Sequence, residues 1–218
     1  MRYRELIELI DEGENIQCEF KRKFSSSEKI AREMLAFANT KGGIILFGID
    51  DDKKIVGVES EKETSELVKD AALTQCVPAI DFSIEYKEID GKEIVIVSVS
   101  ESIEKPHRLQ DYKTELDINS AIVPIRVNDK SVQASKEMIR ILRAQTNQTA
   151  LKKYILGPIE KTVFEYLNKT ERISVKELSN LVNISERRAS RTLVKMLRAN
   201  LLMIHTKDNG EEFFTASV

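Results

Sequence analysis

Residues 36–51, AFANTKGGIILFGIDD, decide the fold of the first half of this chain. An apolar stripe at helical spacing runs to Phe37 and is followed by Gly42-Gly43, where the backbone can turn sharply because glycine has no side chain to clash. The run IILFGI at 44–49 is short, apolar and β-branched, as is typical of a buried central strand. The stretch therefore predicts a helix, a tight turn and a strand that ends in the acidic pair Asp50-Asp51.

Patterns on both sides of this stretch predict further strands and helices of the same domain. Residues 16–22 alternate between apolar and polar side chains, which indicates a half-buried strand. Asp90-Gly91 separates two β-rich runs and is a strong signal for a hairpin. Further strands are predicted at 55–58 and 121–127, and helices at 3–11, 61–76 and 135–145. We expect an α+β fold with a mixed sheet, in a domain that spans residues 1–147.

A second pattern occupies residues 158–218, after a linker predicted at 148–157 that has no periodicity of its own. Ser174 and Glu177 have the spacing of a capping box, and Ser185 caps the helix that follows the next turn. Asp208-Asn209-Gly210 joins two short apolar runs as a hairpin. The order of helix, helix, turn, basic helix and hairpin resembles the winged helix-turn-helix family, and it predicts a small domain of that fold.

The charge of the chain is unevenly distributed between these two parts. The formal net charge is −2, yet residues 151–218 hold 12 Lys and Arg against 8 Asp and Glu. The predicted helix after Ser185 presents basic residues at spacings of three and four, which lie along one side. These are Arg187, Arg188, Arg191, Lys195 and Arg198. The resemblance implies that this helix enters the major groove, with its first arginines near base edges and its later basic residues near phosphates. Two alternatives are a docking module for protein and an ordinary solvated face.

Other function classes are disfavoured by what the sequence lacks. No apolar run is long enough to cross a bilayer, and the N-terminus carries acids where a secretory signal needs apolar residues. We therefore expect a cytoplasmic protein with no membrane partner. Residues 48–57 lack the glycine and lysine order of a phosphate-binding loop, so nucleotide hydrolysis is not predicted. Cys18 and Cys76 are isolated, which argues against a zinc site.

Several segments of the first domain resemble the Schlafen-type AlbA domain family. Glu14 followed by Glu19-Phe20-Lys21 matches its first pattern, and residues 36–51 match its central helix end and strand. Val56-Gly57 and Ile125-Arg126-Val127 match later segments. The resemblance covers about residues 10–145. It implies a mixed-sheet core that in many members serves DNA-binding regulators and in some members serves a ribonuclease.

The acids of these segments form a candidate site. Glu14, Glu19 and either Asp50 or Asp51 could converge as oxygen ligands for Mg²⁺ or Mn²⁺, and such an ion could activate water against a phosphodiester. Lys21 shares a face with Glu19 and could hold a phosphate oxygen. The alternative is that Glu19 and Lys21 form a surface pair of little energetic weight and that the aspartates only make a turn.

Two functions of different classes follow from these observations. The first is a DNA-binding transcriptional regulator that reads duplex DNA through the C-terminal winged helix and needs no cofactor. The alternative is a metal-dependent endoribonuclease of Schlafen type, which acts on structured RNA such as transfer RNA and needs Mg²⁺ or Mn²⁺. The resemblance also implies a homodimer, because family members often carry two facing copies of the core and this chain has one.

Overall fold

The computed structural model describes residues 1–146 and 156–217 of the chain. These residues form two compact units, Met1–Ala134 and Ser135–Val218. Of the predicted linker at 148–157, residues 148–155 lie outside the described residues. Each unit is built around apolar residues of its own.

The N-terminal unit contains three helices and eight strands. The helices are α1 (Tyr3–Glu12), α2 (Ser27–Asn39) and α3 (Glu61–Gln75), and the strands are β1 (Cys18–Lys21), β2 (Gly43–Phe47), β3 (Cys76–Val77), β4 (Phe82–Ile89), β5 (Lys92–Val99), β6 (Arg108–Leu109), β7 (Pro124–Val127) and β8 (Lys130–Gln133). The main sheet has the strand order β1-β2-β5-β4. Strands β1 and β2 are parallel because α2 carries the chain back between them, whereas β5 pairs antiparallel with both neighbours. This confirms the predicted mixed sheet.

The period of two along each strand divides the core between the faces of this sheet. Ile45 and Phe47 of β2 pack on one face with α2 and α3. Leu46, between them, points to the other face and packs with Ile94 and Ile96 of β5 beneath α1. The nearly continuous apolar run at 44–49 is therefore explained by burial on both faces.

The turn between α2 and β2 depends on its two glycines. Gly42 has a φ of 69°, which residues with a side chain rarely adopt, and a Cβ there would lie 2.8 Å from the Val99 carbonyl oxygen. A Cβ on Gly43 would lie 2.2 Å from the Phe37 ring. The glycines thus allow the helix end to pack directly on the sheet, in agreement with the turn that the sequence predicts.

The prediction of a strand at 55–58 is wrong, because this segment forms no regular strand. Only Ile55 pairs in this segment, through a single bridge to Ile49. The amides of Val56 and Gly57 both donate to the carbonyl of Gly48, at 2.8 and 2.9 Å, and Gly48 and Gly57 both have positive φ. Two successive amides on one carbonyl are incompatible with a regular ladder, so the segment turns away after one bridge.

The described residues of the C-terminal unit, 135–146 and 156–217, form four helices and a hairpin. These are α4 (Lys136–Thr146), α5 (Pro158–Thr170), α6 (Val175–Leu181), α7 (Glu186–Arg198), β9 (Leu202–Thr206) and β10 (Glu212–Ala216). Its core lies between α5, α6, α7 and the hairpin, with Val163, Leu178, Leu193 and Phe214 fully buried. Ile173 also bridges Phe214, so the segment before α6 runs alongside β10.

The division between the units lies before the boundary that the sequence analysis places at residue 147. Helix α4, expected to close the first domain, belongs to the second unit. It packs on α7, and Arg140 of α4 donates to the Ser190 hydroxyl at 3.1 Å. In residues 1–146 and 156–217, every helix is too short or too polar to cross a membrane.

Candidate nucleic-acid interface and acidic cluster

Helix α7 has one buried face and one basic face. Its first turn is capped by Ser185, whose hydroxyl accepts from the Arg188 amide at 3.3 Å. Ala189, Leu193 and Met196 are completely buried in the core of the unit. Because these residues recur at spacings of three and four, they fix the orientation of the helix and thereby the direction of its other side chains.

The basic residues that the sequence analysis singled out lie opposite this core. Arg187, Arg188, Arg191 and Lys195 are exposed, whereas Arg198 near the helix end is half-buried. Four of the five predicted residues thus share one solvent-facing strip of α7. The strip contains no acid after Glu186 at its start, so its charge is of one sign.

Helix α4 covers one flank of α7 and limits the width of this strip. Ser190 and Val194 are buried on that flank. The Arg140 guanidinium that holds Ser190 also pairs with Glu137, at 2.9 Å. Helix α4 therefore leaves the basic residues as the part of α7 that a large ligand can approach.

The segments around α7 are fixed by local hydrogen bonds of the kind that the sequence predicts. Both halves of the capping box form, with the Ser174 hydroxyl accepting from the Glu177 amide and the Glu177 carboxylate accepting from the Ser174 amide at 2.7 Å. Asn183 adopts a left-handed φ of 51° in the turn between α6 and α7. The turn that sets the angle between these helices is thus encoded by residues suited to its conformation.

In the N-terminal unit one of the predicted acids, Glu19, contacts a buried cation that the site prediction did not include. Arg126 of β7 has a side chain with no exposure, and its Nη1 lies 2.8 Å from Glu19 and 3.1 Å from Glu33. Its Nη2 donates to the carbonyl oxygen of Asn15 at 2.8 Å, and the Phe37 ring lies 4.8 Å from the guanidinium carbon. One arginine therefore ties together β1, α2 and β7.

Glu33 of α2 is a second acid that the site prediction did not include. It accepts from the Ser131 hydroxyl as well as from Arg126. Burial raises the pKa of the Glu33 carboxyl, and the negative charge of Glu19 raises it further. Its neutral form is thus favoured relative to a carboxyl in water, although Ser131 and Arg126 act in the opposite direction.

Glu14 and Lys21, two further residues of the predicted site, both lie at strand β1 close to Glu19. The Glu14 carboxylate accepts from the Phe20 amide at 2.8 Å. Burial raises the pKa of Glu14, and the charges of Glu19 and Asp51 raise it as well, so both acids lie within electrostatic reach of Glu14. Lys21 pairs with Glu19, as the face-sharing of the strand predicts.

Asp50 has a local structural role. Its carboxylate accepts from the Asp52 amide at 2.8 Å, and its carbonyl accepts from the Lys53 amide at 2.8 Å. Its second carboxylate oxygen lies 3.5 Å from Arg22. Asp50 therefore organises the turn after β2 and is engaged on both oxygens.

As arranged, the acids are a poor fit for a divalent ion. One oxygen of Glu19 pairs with Lys21 and the other with Arg126, so a metal would have to displace a protein cation. Among the residues that the structure describes, no group of three or more His, Cys, Asp or Glu is placed to hold a metal ion. Mg²⁺ or Mn²⁺ binding by Glu14, Glu19, Asp50 or Asp51 stays a prediction.

The position of Arg126 within an apolar run indicates a buried ion pair, but this can be recognised only once the structure shows that the whole of β7 is buried. All four residues of β7 are buried, and an arginine inside such a run requires a partner of opposite charge. The partners are 107 and 93 residues earlier in the chain. No local pattern connects positions so far apart.

Comparisons with known proteins agree with part of this description. The family model described as Schlafen, AlbA_2 matches residues 14–135, which is more than half of the chain. The chain therefore belongs to the Schlafen, AlbA_2 family. A search of curated proteins returns no significant match.

Two solved structures are similar to parts of the chain. The DIP2311 protein from Corynebacterium diphtheriae has a TM-score of 0.47 and 15% identity over 93% of this chain, which spans only 34% of that protein. The N-terminal domain of a protein described as related to the ATP-dependent DNA helicase RecG, from Nitrosomonas europaea, has a TM-score of 0.41. Its identity is 24% over 50% of this chain and 81% of that domain.

Proposed function

We propose that this Schlafen, AlbA_2 family member is a nucleic-acid-binding protein whose C-terminal unit is a winged helix-turn-helix that contacts duplex DNA through α7. The observation that carries the proposal is the exposed strip of Arg187, Arg188, Arg191 and Lys195 opposite the buried face of one rigidly packed helix. Duplex DNA carries a regular array of phosphates, and a single-sign strip on a helix complements it.

The surroundings of α7 support this proposal. Helix α6 precedes α7 through a tight turn, and the hairpin of β9 and β10 follows it, which is the order of elements in a winged helix-turn-helix. The capping box of α6 and the left-handed Asn183 fix the two helices against each other. A rigid pair is what placement of a helix in a groove requires.

Fluorescence anisotropy with a labelled duplex and the full-length chain tests the proposal. The double variant Arg187→Ala/Arg191→Ala removes two exposed cations from the strip and should weaken binding. Because these two arginines are expected near base edges, each lost contact should cost about 1–3 kcal/mol of binding free energy. The double variant Lys62→Ala/Lys69→Ala removes two exposed cations from α3 and is the matched control. Equal affinity of both variants and the wild type would contradict the proposal.

The finer role that we propose is regulation of transcription. A homodimer, which the family resemblance implies, would place two copies of α7 on one duplex and would favour symmetric half-sites. Light scattering at micromolar concentration measures the mass, and a monomer would remove this part of the proposal.

Metal-dependent cleavage of structured RNA is the second candidate function. It is favoured by the position of Glu19 and Asp51 within electrostatic reach of Glu14, and it is opposed by the pairing of both Glu19 oxygens. An assay with labelled transfer RNA and Mn²⁺ should compare the wild type with Glu19→Gln and Glu14→Gln. The second variant leaves the pair of Glu19 and Arg126 intact and so separates loss of cleavage from loss of folding. Cleavage by the wild type alone would establish this function.

A further inference from the structure

The outward side of the hairpin in the C-terminal unit carries a column of planar groups. His205 of β9 and Phe213 of β10 are direct cross-strand partners, with ring centroids 5.0 Å apart and ring planes 14° from parallel. The Arg172 guanidinium carbon lies 5.9 Å from the Phe213 centroid. Exposed aromatic rings and arginine planes are the groups on which unpaired nucleic-acid bases stack.

A cleft opens beside this column. Its volume is about 420 Å³, and Phe213, Arg172, Lys176 and Lys207 are among its lining residues. This volume falls in the range of pockets that hold small ligands, about 300–1,000 Å³. The three cations come from different segments, namely the connection between α5 and α6, the first turn of α6 and the turn of the hairpin.

The acids that line the same cleft are engaged within the protein. Glu211 pairs with Lys207 at 2.9 Å, and Glu177 closes the capping box of α6. Glu212 accepts from the Ser135 hydroxyl at 2.6 Å, and Glu137 pairs with Arg140 on α4. The cleft therefore does not present four free carboxylates.

Two of the cations remain available to an anion. Among residues 1–146 and 156–217, no carboxylate lies within ion-pair distance of Arg172 or Lys176. The column supplies stacking surface, and these cations supply positive charge at its side. An aromatic ring joined to a phosphate combines the two complementary features.

We propose that this cleft binds one unpaired nucleotide, with its base at the end of the column formed by Arg172 and Phe213 and its phosphate at Lys176. The nucleotide can belong to a single strand or be a free mononucleotide, and both share this chemistry. The cleft contains no residue of the strip on α7, so the test of nucleotide binding is independent of the test of duplex binding.

The experiment uses the full-length chain and a twelve-residue deoxythymidine strand that contains one 2-aminopurine. Stacking on the column should quench the 2-aminopurine fluorescence. Phe213→Leu retains an apolar side chain without a ring and should weaken strand binding about tenfold, since stacking of one base contributes roughly that factor. Met203→Ala, on the same side of β9 but outside the cleft, is the control, and far-UV circular dichroism checks the folding of both variants.

Two further arms separate the possible outcomes. A strand of abasic deoxyribose phosphate should bind more weakly than the thymidine strand, and tighter binding of deoxythymidine monophosphate than of the thymidine strand would identify the free nucleotide as the ligand. Equal binding of the thymidine strand to the wild type and Phe213→Leu would overturn the proposal, as would equal binding of the abasic strand. Loss of duplex binding in Arg187→Ala/Arg191→Ala with strand binding retained would locate the two activities on different surfaces.

Discussion

The carboxyl of Glu212 makes the stability of the C-terminal unit depend on pH. The pKa of this group is raised from 4.5 to about 7, chiefly by burial; the Ser135 hydroxyl acts in the opposite direction, and the charge of Glu137 adds to the rise. A carboxyl with a raised pKa binds its proton more tightly in the folded state. Its contribution to stability is therefore fully present below about 4.5 and is lost as the pH rises through about 7.

The magnitude follows from the two pKa values. One pKa unit corresponds to about 1.4 kcal/mol, so the shift amounts to about 3 kcal/mol in full. Integrated between pH 5 and pH 8, it predicts a loss of about 2.5 kcal/mol in the free energy of unfolding. Glu212→Gln keeps an acceptor for Ser135 and cannot ionise. The variant should match the wild type near pH 5 and should exceed its stability near pH 8.

Urea unfolding of the full-length wild type and variant, followed by circular dichroism between pH 5 and pH 8, measures this difference. The comparison cancels the other titrating groups, which both proteins share. A carbon-13 spectrum of the labelled glutamate carboxyls would give the pKa of Glu212 directly. A stability difference that stays constant across this pH range would refute the reasoning.

Three further substitutions test the structural roles described above, each by urea unfolding against the wild type. Arg126→Met removes the cation that Glu19 and Glu33 share and leaves Glu19 with Lys21 alone, so it should reduce stability by about 3–5 kcal/mol, and a loss below 1 kcal/mol would show that the pair is dispensable. Gly43→Ala forces a Cβ against the Phe37 ring and should reduce stability by about 1–3 kcal/mol. An unchanged free energy of unfolding would show instead that the ring moves aside without cost. Ser174→Ala removes half of the capping box and should reduce stability by about 1 kcal/mol, and unchanged exchange rates of the first amides of α6 would contradict that role.

Local sequence patterns predicted the elements of this fold wherever residue propensity and backbone hydrogen bonding favour the same structure. The run at 44–49 gave the central strand, and Asp90-Gly91 gave the hairpin of β4 and β5. The segment at 55–58 failed because its β-branched residues favour a strand, whereas Gly48 and Gly57 redirect the hydrogen bonds. Helix α4 was predicted at nearly its observed position, yet its unit could be assigned only from its packing on α7.

The candidate sites show the same division. The exposed strip of α7 follows from helical periodicity, because Arg187, Arg191 and Lys195 recur at spacings that a single helix imposes. The network at Arg126 joins three elements across long sequence separations, and tertiary pairing alone determines it. The column of His205 and Phe213 likewise depends on hairpin register, which the turn residues suggest but do not determine.

The position of Arg126 in the chain has a consequence for synthesis on the ribosome. Glu19 and Glu33 emerge about a hundred residues before the guanidinium that neutralises them. Until β7 leaves the exit tunnel, the nascent sheet and α2 would bring these carboxylates together without the guanidinium that both contact and with only Lys21 paired to Glu19, and repulsion and desolvation would oppose that approach. The N-terminal unit should therefore fold late in translation, as one cooperative event, and nascent fragments that end before residue 126 should remain open to proteases and chaperones.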